Sequence, residues 1–308
     1  MSDIKLFRLQ NGKAKEFQGD ASGLEKPLQI LIENNLESLL GIRFLATEYS
    51  TGKTHAGRID TLGLDENHCP VILEYKRSSS ENVINQGLFY LDWLMDHQAE
   101  FKLLVMDKLG KPAADLIDWS APRLICVASD FTKYDGHAVQ QINRQIELVR
   151  YRLFGSELLL LESANTPIST RTSTGSDRSP VATAIRVRSS DKHVAESLQE
   201  LSSEMAELLA SMEDYVLSLG DDVQRKELKL YLAFTRLKNF ATIVIQKNRF
   251  LLFLHLDPDQ LGVLPENARN VRETGHWGTG DIELSIANSR EFDLAKPLIQ
   301  MAYEGRSS

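Results

Sequence analysis

Gly57-Arg58-Ile59-Asp60 and Val71-Ile72-Leu73-Glu74-Tyr75-Lys76 are the two stretches on which the reading of this chain turns. Residues 70–76 are mostly apolar and alternate poorly, as expected for a strand covered on both faces. Glu74 and Lys76 lie two apart, so on an extended strand both point to one face. Two charged groups on one face of a buried strand are costly unless they are paired or bind a metal. Asp60 sits at the start of a second strand candidate, 57–64. If the two strands form a hairpin, Asp60 comes to lie near Glu74, and together they offer hard oxygen ligands suited to Mg²⁺. Lys76 is then placed to orient or help deprotonate a water, or to stabilise a phosphorane-like transition state.

Working outward, residues 24–40 carry Leu28, Leu31, Ile32, Leu36, Leu39 and Leu40 at helical spacing, ended by Gly41. A strand candidate, 42–49, follows. Beyond Lys76, residues 79–96 read as a helix with Ile84, Leu88, Leu91 and Leu94 on one side. On this helix Gln86 and Tyr90 lie four apart and share a face.

The pattern Asp-x13-Glu-x-Lys resembles the PD-(D/E)XK nuclease superfamily, with Glu25 one helix upstream and Gln86-x-x-x-Tyr90 downstream. Over about residues 23–161 it is similar to the catalytic domain of NucS-like (RecB-type) endonucleases. The resemblance implies an α/β restriction-endonuclease-like domain with an αβββαβ core, and metal-dependent hydrolysis of a DNA phosphodiester bond with Mg²⁺ or Mn²⁺. It implies Glu25, Asp60 and Glu74 as metal ligands and Lys76 as the catalytic lysine. Gln86 would position metal or substrate, and Arg58, Arg77 and Tyr90 would meet nucleic acid. Pro27 puts Glu25 at the extreme end of its helix, so Glu25 and Glu33 both stand as the helix carboxylate. A homodimer is compatible with the resemblance. The first catalytic helix starts near residue 24, so the N-terminal DNA-binding domain of NucS-type enzymes is expected to be absent. Substrate structure is left open.

Before that helix, residues 4–9 and 14–17 flank Asn11-Gly12, a hairpin signal. Residues 123–128 and 157–161 read as further buried strands. Residues 163–192, rich in Ser, Thr, Gly and Pro and without an aromatic residue, read as an interdomain linker. That assigns 1–162 to the first domain.

Residues 193–308 read as a smaller C-terminal α+β domain: a long helix over 193–219, strands over 228–235, 240–245 and 250–256, and a tight turn at Asn248-Arg249. A fourth strand over 280–286 and a closing helix over 292–303 complete it. The stretches 230–240, 275–281 and 296–303 resemble a small domain of unknown function, found in bacterial proteins some of which are labelled predicted transport proteins. Nothing in the chain reads as crossing a bilayer, so that label finds no support here.

Residues 225–249 hold seven basic residues against Glu227 alone, with Tyr231, Phe234 and Phe240 interleaved. Such a run suits phosphate contacts and base stacking, with Arg236 and Lys238 as contacts. It is equally the pattern of core aromatics among solvated lysines. His276, in the loop to Asp281, reads as a structural hydrogen bonder.

The net charge is −8 over 308 residues. That excludes a protein coated in positive charge but not a nucleic-acid enzyme with local basic residues and metal-holding carboxylates. No apolar run approaches the length of a membrane span, no secretory signal opens the chain, and Cys69 and Cys126 are too few for a disulfide framework. The expected location is therefore cytoplasmic. The competing expectation is a non-catalytic nucleic-acid-binding or interaction protein built on a nuclease fold.

Overall fold

The computed structural model describes residues 4–17, 19–20, 25–52, 56–76, 83–164, 193–276 and 278–305. The chain opens with a two-stranded hairpin, β1 (Leu6–Gln10) and β2 (Lys13–Phe17). Asn11 and Gly12 both take positive φ at its turn, as the Asn-Gly pair predicts.

A seven-stranded mixed sheet follows. Its strands are β3 (Gly19–Asp20), β4 (Ile42–Ser50), β5 (Arg58–Asp65), β6 (Pro70–Lys76), β7 (Arg123–Ala128), β8 (Gln145–Phe154) and β9 (Leu158–Ser163). The order is β3-β8-β7-β6-β5-β4, with β9 beside β8. Pairs β4/β5 and β5/β6 are antiparallel, whereas β6/β7 and β7/β8 are parallel.

Alternation along β6 explains how this sheet is covered. Val71, Leu73 and Tyr75 face helices α1 (Glu25–Asn34) and α2 (Leu36–Leu40), packing with Leu28, Ile32, Leu36 and Leu40. Ile72, with Leu62, Leu64, Leu124 and Cys126, faces α3 (Val83–Asp96) and α4 (Gln98–Leu109) on the other side. Glu74 and Lys76 share the parity of Ile72 and so belong to the α3 side. Two shorter helices, α5 (Lys111–Asp115) and α6 (Lys133–Gln141), flank β7 in the chain.

The second unit is a six-stranded antiparallel sheet in the order β10-β11-β12-β13-β15-β14. Its strands are β10 (Gln224–Glu227), β11 (Leu232–Thr235), β12 (Asn239–Gln246), β13 (Arg249–Leu254), β14 (Ala268–Asn270) and β15 (Ile282–Ile286). Helices α7 (Val194–Gln199), α8 (Ser203–Ser218) and α9 (Ser289–Glu304) cover one face. The other face meets the first unit, where Ala233, Val244 and Phe253 join one apolar cluster with Cys69 and Ala121. Both cysteines are buried thiols. Among the described residues, no helix is long and apolar enough to cross a membrane.

Six expectations change. The helix over 24–40 is two helices, α1 and α2, divided at Asn35, whose N–H bonds to the Ile32 carbonyl. The strand over 157–161, read as buried, is β9, which is exposed at Leu158 and half-buried beyond it, because it pairs with β8 alone. The helix over 193–219 is two helices, because the Ser202 hydroxyl accepts from the Met205 N–H and caps a new start. The strand over 228–235 is a hairpin instead, closed by the Leu228 N–H on the Tyr231 carbonyl. That turn carries no polar signal because Leu228 and Tyr231 are buried against the first unit. The ten-residue strand β8 went unread, its apolar run broken by Glu147, Arg150 and Arg152. Of the 163–192 stretch, Ser163 closes β9 and Ala164 follows it, while 165–192 lie outside the described residues.

Candidate active site

The antiparallel register of β5 and β6 pairs Thr61 with Leu73 and Leu62 with Ile72, so one step further Asp60 stands opposite Glu74. Each carboxylate is held by the backbone of the other strand. The Asp60 N–H donates to Glu74 Oε1 at 3.2 Å, and the Tyr75 N–H donates to Asp60 Oδ2 at 3.0 Å. From α3, Gln86 Nε2 donates to Glu74 Oε2 at 3.0 Å and reaches the Tyr90 hydroxyl at 3.4 Å. The same hydroxyl accepts from the Arg58 N–H at 3.2 Å. Gly57 lets the strand pass this close, since a Cβ there would lie 2.5 Å from the Tyr90 ring.

Lys76 ends β6, and its Nζ lies 3.3 Å from Glu25 Oε1 at the start of α1. Glu33 goes elsewhere, accepting from the Thr61 hydroxyl at 2.6 Å and from Gln29 Nε2 at 3.0 Å. The two helix carboxylates are thus separated: Glu25 lines the cleft with Asp60 and Lys76, and Glu33 braces the opposite face of β5. The cleft has a volume of about 760 Å³ and is lined also by Lys26, Gln29, Glu48, Arg58, Gln86 and Tyr90. Glu74 has no exposed surface and lies behind this lining, in contact with Asp60 and Gln86.

Burial, with the neighbouring Asp60 acting in the same direction, pushes the Glu74 carboxyl up to about 9. Burial likewise raises Asp60, against the pull of the Tyr75 N–H and Lys76. Two carboxyl groups in one desolvated site resist ionising together unless a cation joins them. Among the described residues, no three His, Cys, Asp or Glu side chains converge on one point. Glu25, the third ligand expected, is not brought into one group with Asp60 and Glu74 and pairs with Lys76 instead. Asp60 and Glu74 remain as two neighbouring carboxyl groups, hard oxygen donors of the kind with which Mg²⁺ is commonly bound when water or substrate oxygens complete its shell.

The other expected contacts are spread out. Tyr90 is buried apart from its approach to the cleft, and Arg77 lies outside the described residues. Arg236 and Lys238 line a different groove of about 500 Å³ between the two units, where Arg236 pairs with Asp222 and stacks on Tyr303.

A basic–aromatic surface over 225–249 does not form: Tyr231, Phe234 and Phe240 are core residues, and Lys226 is buried against Glu147. Arg225 is taken up by Glu213. His276 stacks on Phe253, with both ring nitrogens on backbone carbonyls, a structural role.

Sequence reasoning missed Gln29, Lys26 and Glu48. Gln29 follows Glu25 by four on the same helix face, a legible signal, and its amide donates to the Asp60 carbonyl at 2.8 Å. Lys26 Nζ reaches both Gln29 and Glu48. Glu48 sits on a neighbouring strand, and only the sheet register reveals it.

Residues 193–305 match the family described as a domain of unknown function, DUF5655. Over 306 residues the chain is 29% identical to an uncharacterized protein of Haemophilus influenzae, covering 97% of this chain and 99% of that one. Among solved structures it is similar to a complex of EndoMS with double-stranded DNA, at 21% identity, a TM-score of 0.29 and 42% of this chain. It is also similar to a repair endonuclease from Pyrococcus abyssi, at 20% identity, a TM-score of 0.28 and 42% of this chain. The chain spans 45% and 49% of the lengths of those two proteins.

Proposed function

We propose that the chain is a metal-dependent nuclease of the PD-(D/E)XK class, hydrolysing phosphodiester bonds in DNA. The observation that carries this reading is the opposition of Asp60 and Glu74 across β5 and β6, with Gln86 on Glu74 and Lys76 in the same cleft. Asp60 and Glu74 would hold the ion. A bound Mg²⁺ or Mn²⁺ supplies charge to a phosphoryl oxygen and a more acidic water.

The protein's own groups do the rest. Gln86 fixes one Glu74 oxygen, and the Asp60 and Tyr75 N–H groups fix the pair, so the carboxylates need no reorganisation. The Lys76 ammonium, anchored by Glu25, is available to charge developing on the phosphoryl group or to a water beside it. Tyr90 ties the helix to the backbone at Arg58, at the mouth of the cleft.

The second unit docks on residues 65–69, which join the end of β5 beyond Asp60 to the start of β6 before Glu74, and on residues 118–123 leading into β7. Any part it takes in substrate or partner selection is therefore indirect at the chemistry.

The test is a panel of single-stranded, duplex, branched and mismatched DNA incubated with full-length protein and Mg²⁺ or Mn²⁺, beside a Glu74→Ala control. Product that needs metal and is lost in the control is expected. Robust cleavage by Glu74→Ala would sink the assignment. Salt-sensitive binding without any product would favour the non-catalytic reading.

A further inference from the structure

Glu48 stands level with Asp60 across the sheet. Thr47 pairs with Thr61 and Tyr49 with Ile59, which leaves Glu48 opposite Asp60 on the neighbouring strand. Its backbone takes φ +51°. For a residue with a Cβ, such a conformation persists only where its surroundings impose it, and it concentrates at functional sites.

The carboxylate bridges two cations at short range. Lys26 Nζ lies 2.6 Å from Oε1 and Arg58 Nε lies 2.6 Å from Oε2. All three side chains line the cleft with Asp60 and Lys76. Lys26 and Arg58 come from different elements, the start of α1 and the start of β5. Their side chains are 52% and 68% exposed, so an incoming anion reaches both, whereas Glu48 is 30% exposed.

One oxygen on an ammonium and the other on a guanidinium is also how two oxygens of a phosphodiester are held. With Glu48 in place, the two cations of the rim share a compensating anion, and the cleft otherwise presents Lys76 against Glu25 and Asp60, so the charges of its lining cancel, three against three. A polyanion meets little net attraction there.

We infer that Lys26 and Arg58 form a phosphate-binding pair at the rim of the Asp60–Glu74 cleft, and that Glu48 occupies it as an internal anion until nucleic-acid backbone displaces it. The choice of phosphodiester as ligand rests on the nuclease reading. The displacement itself is a property of these three residues. Glu48 thereby restrains non-specific binding, because only a backbone that also engages the cleft repays the lost ion pairs.

The test uses full-length protein and a fluorescein-labelled duplex, with EDTA present so that nothing is cut. Binding is followed by anisotropy from about 50 to about 200 mM salt. The proteins are wild type, Glu48→Gln, Glu48→Gly, the double variant Lys26→Ala/Arg58→Ala, and Glu48→Gln added to that double variant. Glycine suits the left-handed backbone, so Glu48→Gly guards against a folding artefact.

Glu48→Gln and Glu48→Gly are expected to bind roughly three- to tenfold tighter than wild type. Their salt dependence should steepen by about one power per phosphate newly engaged. The gain should vanish when Lys26 and Arg58 are absent.

An equal gain in the Lys26→Ala/Arg58→Ala background would mean general charge repulsion, and no gain in any background would mean no gate. Either overturns the inference. So does loss of metal-dependent cleavage by Glu48→Gln without tighter binding, which would make Glu48 a ligand of the metal instead. Failure of the nuclease reading shows separately, as absence of metal-dependent product from wild type, and leaves the binding comparison standing.

Discussion

Lys226 of the second sheet donates to Glu147 of the first at 2.8 Å, with only 1% of its side chain exposed. Glu147 also takes Arg123 through both oxygens, at 2.8 Å each, and Arg123 reaches Asp65 at 2.9 Å. The four charges cancel inside a desolvated boundary between the two units. Burial disfavours the Lys226 ammonium, and Arg123 adds to that, while Glu147 and Asp65 oppose it. Removing one member of a buried set strands the others at a cost of about 3–5 kcal/mol. Lys226→Met should therefore lower the free energy of unfolding by about that much and separate one denaturation transition into two. Urea titrations followed by tryptophan fluorescence and circular dichroism would show it. Coincident, unshifted transitions would mean that the ion pair is not holding the units together.

That boundary also marks where sequence reading stops. Elements with a clear apolar pattern and a clear end were legible: the helical stretch up to Gly41, though not its division at Asn35, the strands β5 and β6, and the Asn11-Gly12 hairpin. Asp60, Glu74, Lys76 and Gln86 were legible because a charged residue in a buried strand needs a reason, and helical spacing places Gln86 and Tyr90 together. Glu147 and Lys226 defeat the same logic, since Lys226 is explained by Glu147, 79 residues away, and Glu147 by Lys226 and by Arg123 on the neighbouring strand. Seen alone, Lys226 belongs to a basic run and Glu147 breaks a strand. The apolar turn at Leu228–Tyr231 misleads for the same reason, its polar rule set aside by docking on the first unit.

Glu66 supplies a pH-dependent component of stability. Its carboxylate accepts from the Asn239 N–H at 2.9 Å and lies 3.9 Å from His255 Nδ1, with Asp65, Arg123 and Lys238 nearby. Burial pushes the carboxyl up to about 7 from an ordinary 4.5. Between those values the unfolded chain binds fewer protons than the folded one, so stability from this group is full below pH 4.5 and falls as pH rises to 7. The loss is about 3 kcal/mol. Glu66→Gln keeps the acceptor and cannot ionise. It should melt close to wild type at pH 5 and clearly above it at pH 8. His255, pushed down to about 4 by burial, works in the opposite sense below its ordinary 6.5. It is present in both proteins, so the difference between them isolates Glu66. Parallel melting curves at both pH values would refute the assignment.

Gly57→Ala tests how tightly Tyr90 is held. The added methyl would meet the Tyr90 ring carbon at 2.5 Å, its hydroxyl at 3.1 Å and the Thr51 hydroxyl at 3.2 Å. Tyr90 is buried apart from its approach to the cleft and is held there through its hydroxyl, so overpacking should cost about 1–3 kcal/mol. Movement of the hydroxyl would also take a partner from Gln86 and from the Arg58 N–H. Thermal melts should place Gly57→Ala well below wild type, with Tyr90→Leu in the same chain restoring part of the loss. If the double variant is no more stable than Gly57→Ala, the clash lies elsewhere.

Glu74→Gln separates chemistry from folding more cleanly than an alanine substitution. Without a cation, burial and Asp60 keep the Glu74 carboxyl protonated at neutral pH, and an amide has nearly the same shape. The Asp60 N–H keeps an acceptor if the amide oxygen takes the place of Oε1, whereas Gln86 Nε2 then faces an NH₂ group and must turn. A loss of no more than about 1.5 kcal/mol is expected, the scale of one neutral hydrogen bond. Cleavage is another matter, because an amide brings no charge to a hard cation and Asp60 alone would be left to hold it. The expectation is a melting temperature within a few degrees of wild type and at least about a thousandfold slower metal-dependent cleavage, about 4 kcal/mol in the barrier. Single-turnover rates over a range of Mn²⁺ concentrations would read it. Rates close to wild type at saturating Mn²⁺ would mean that Glu74 is a buried structural acid rather than a ligand.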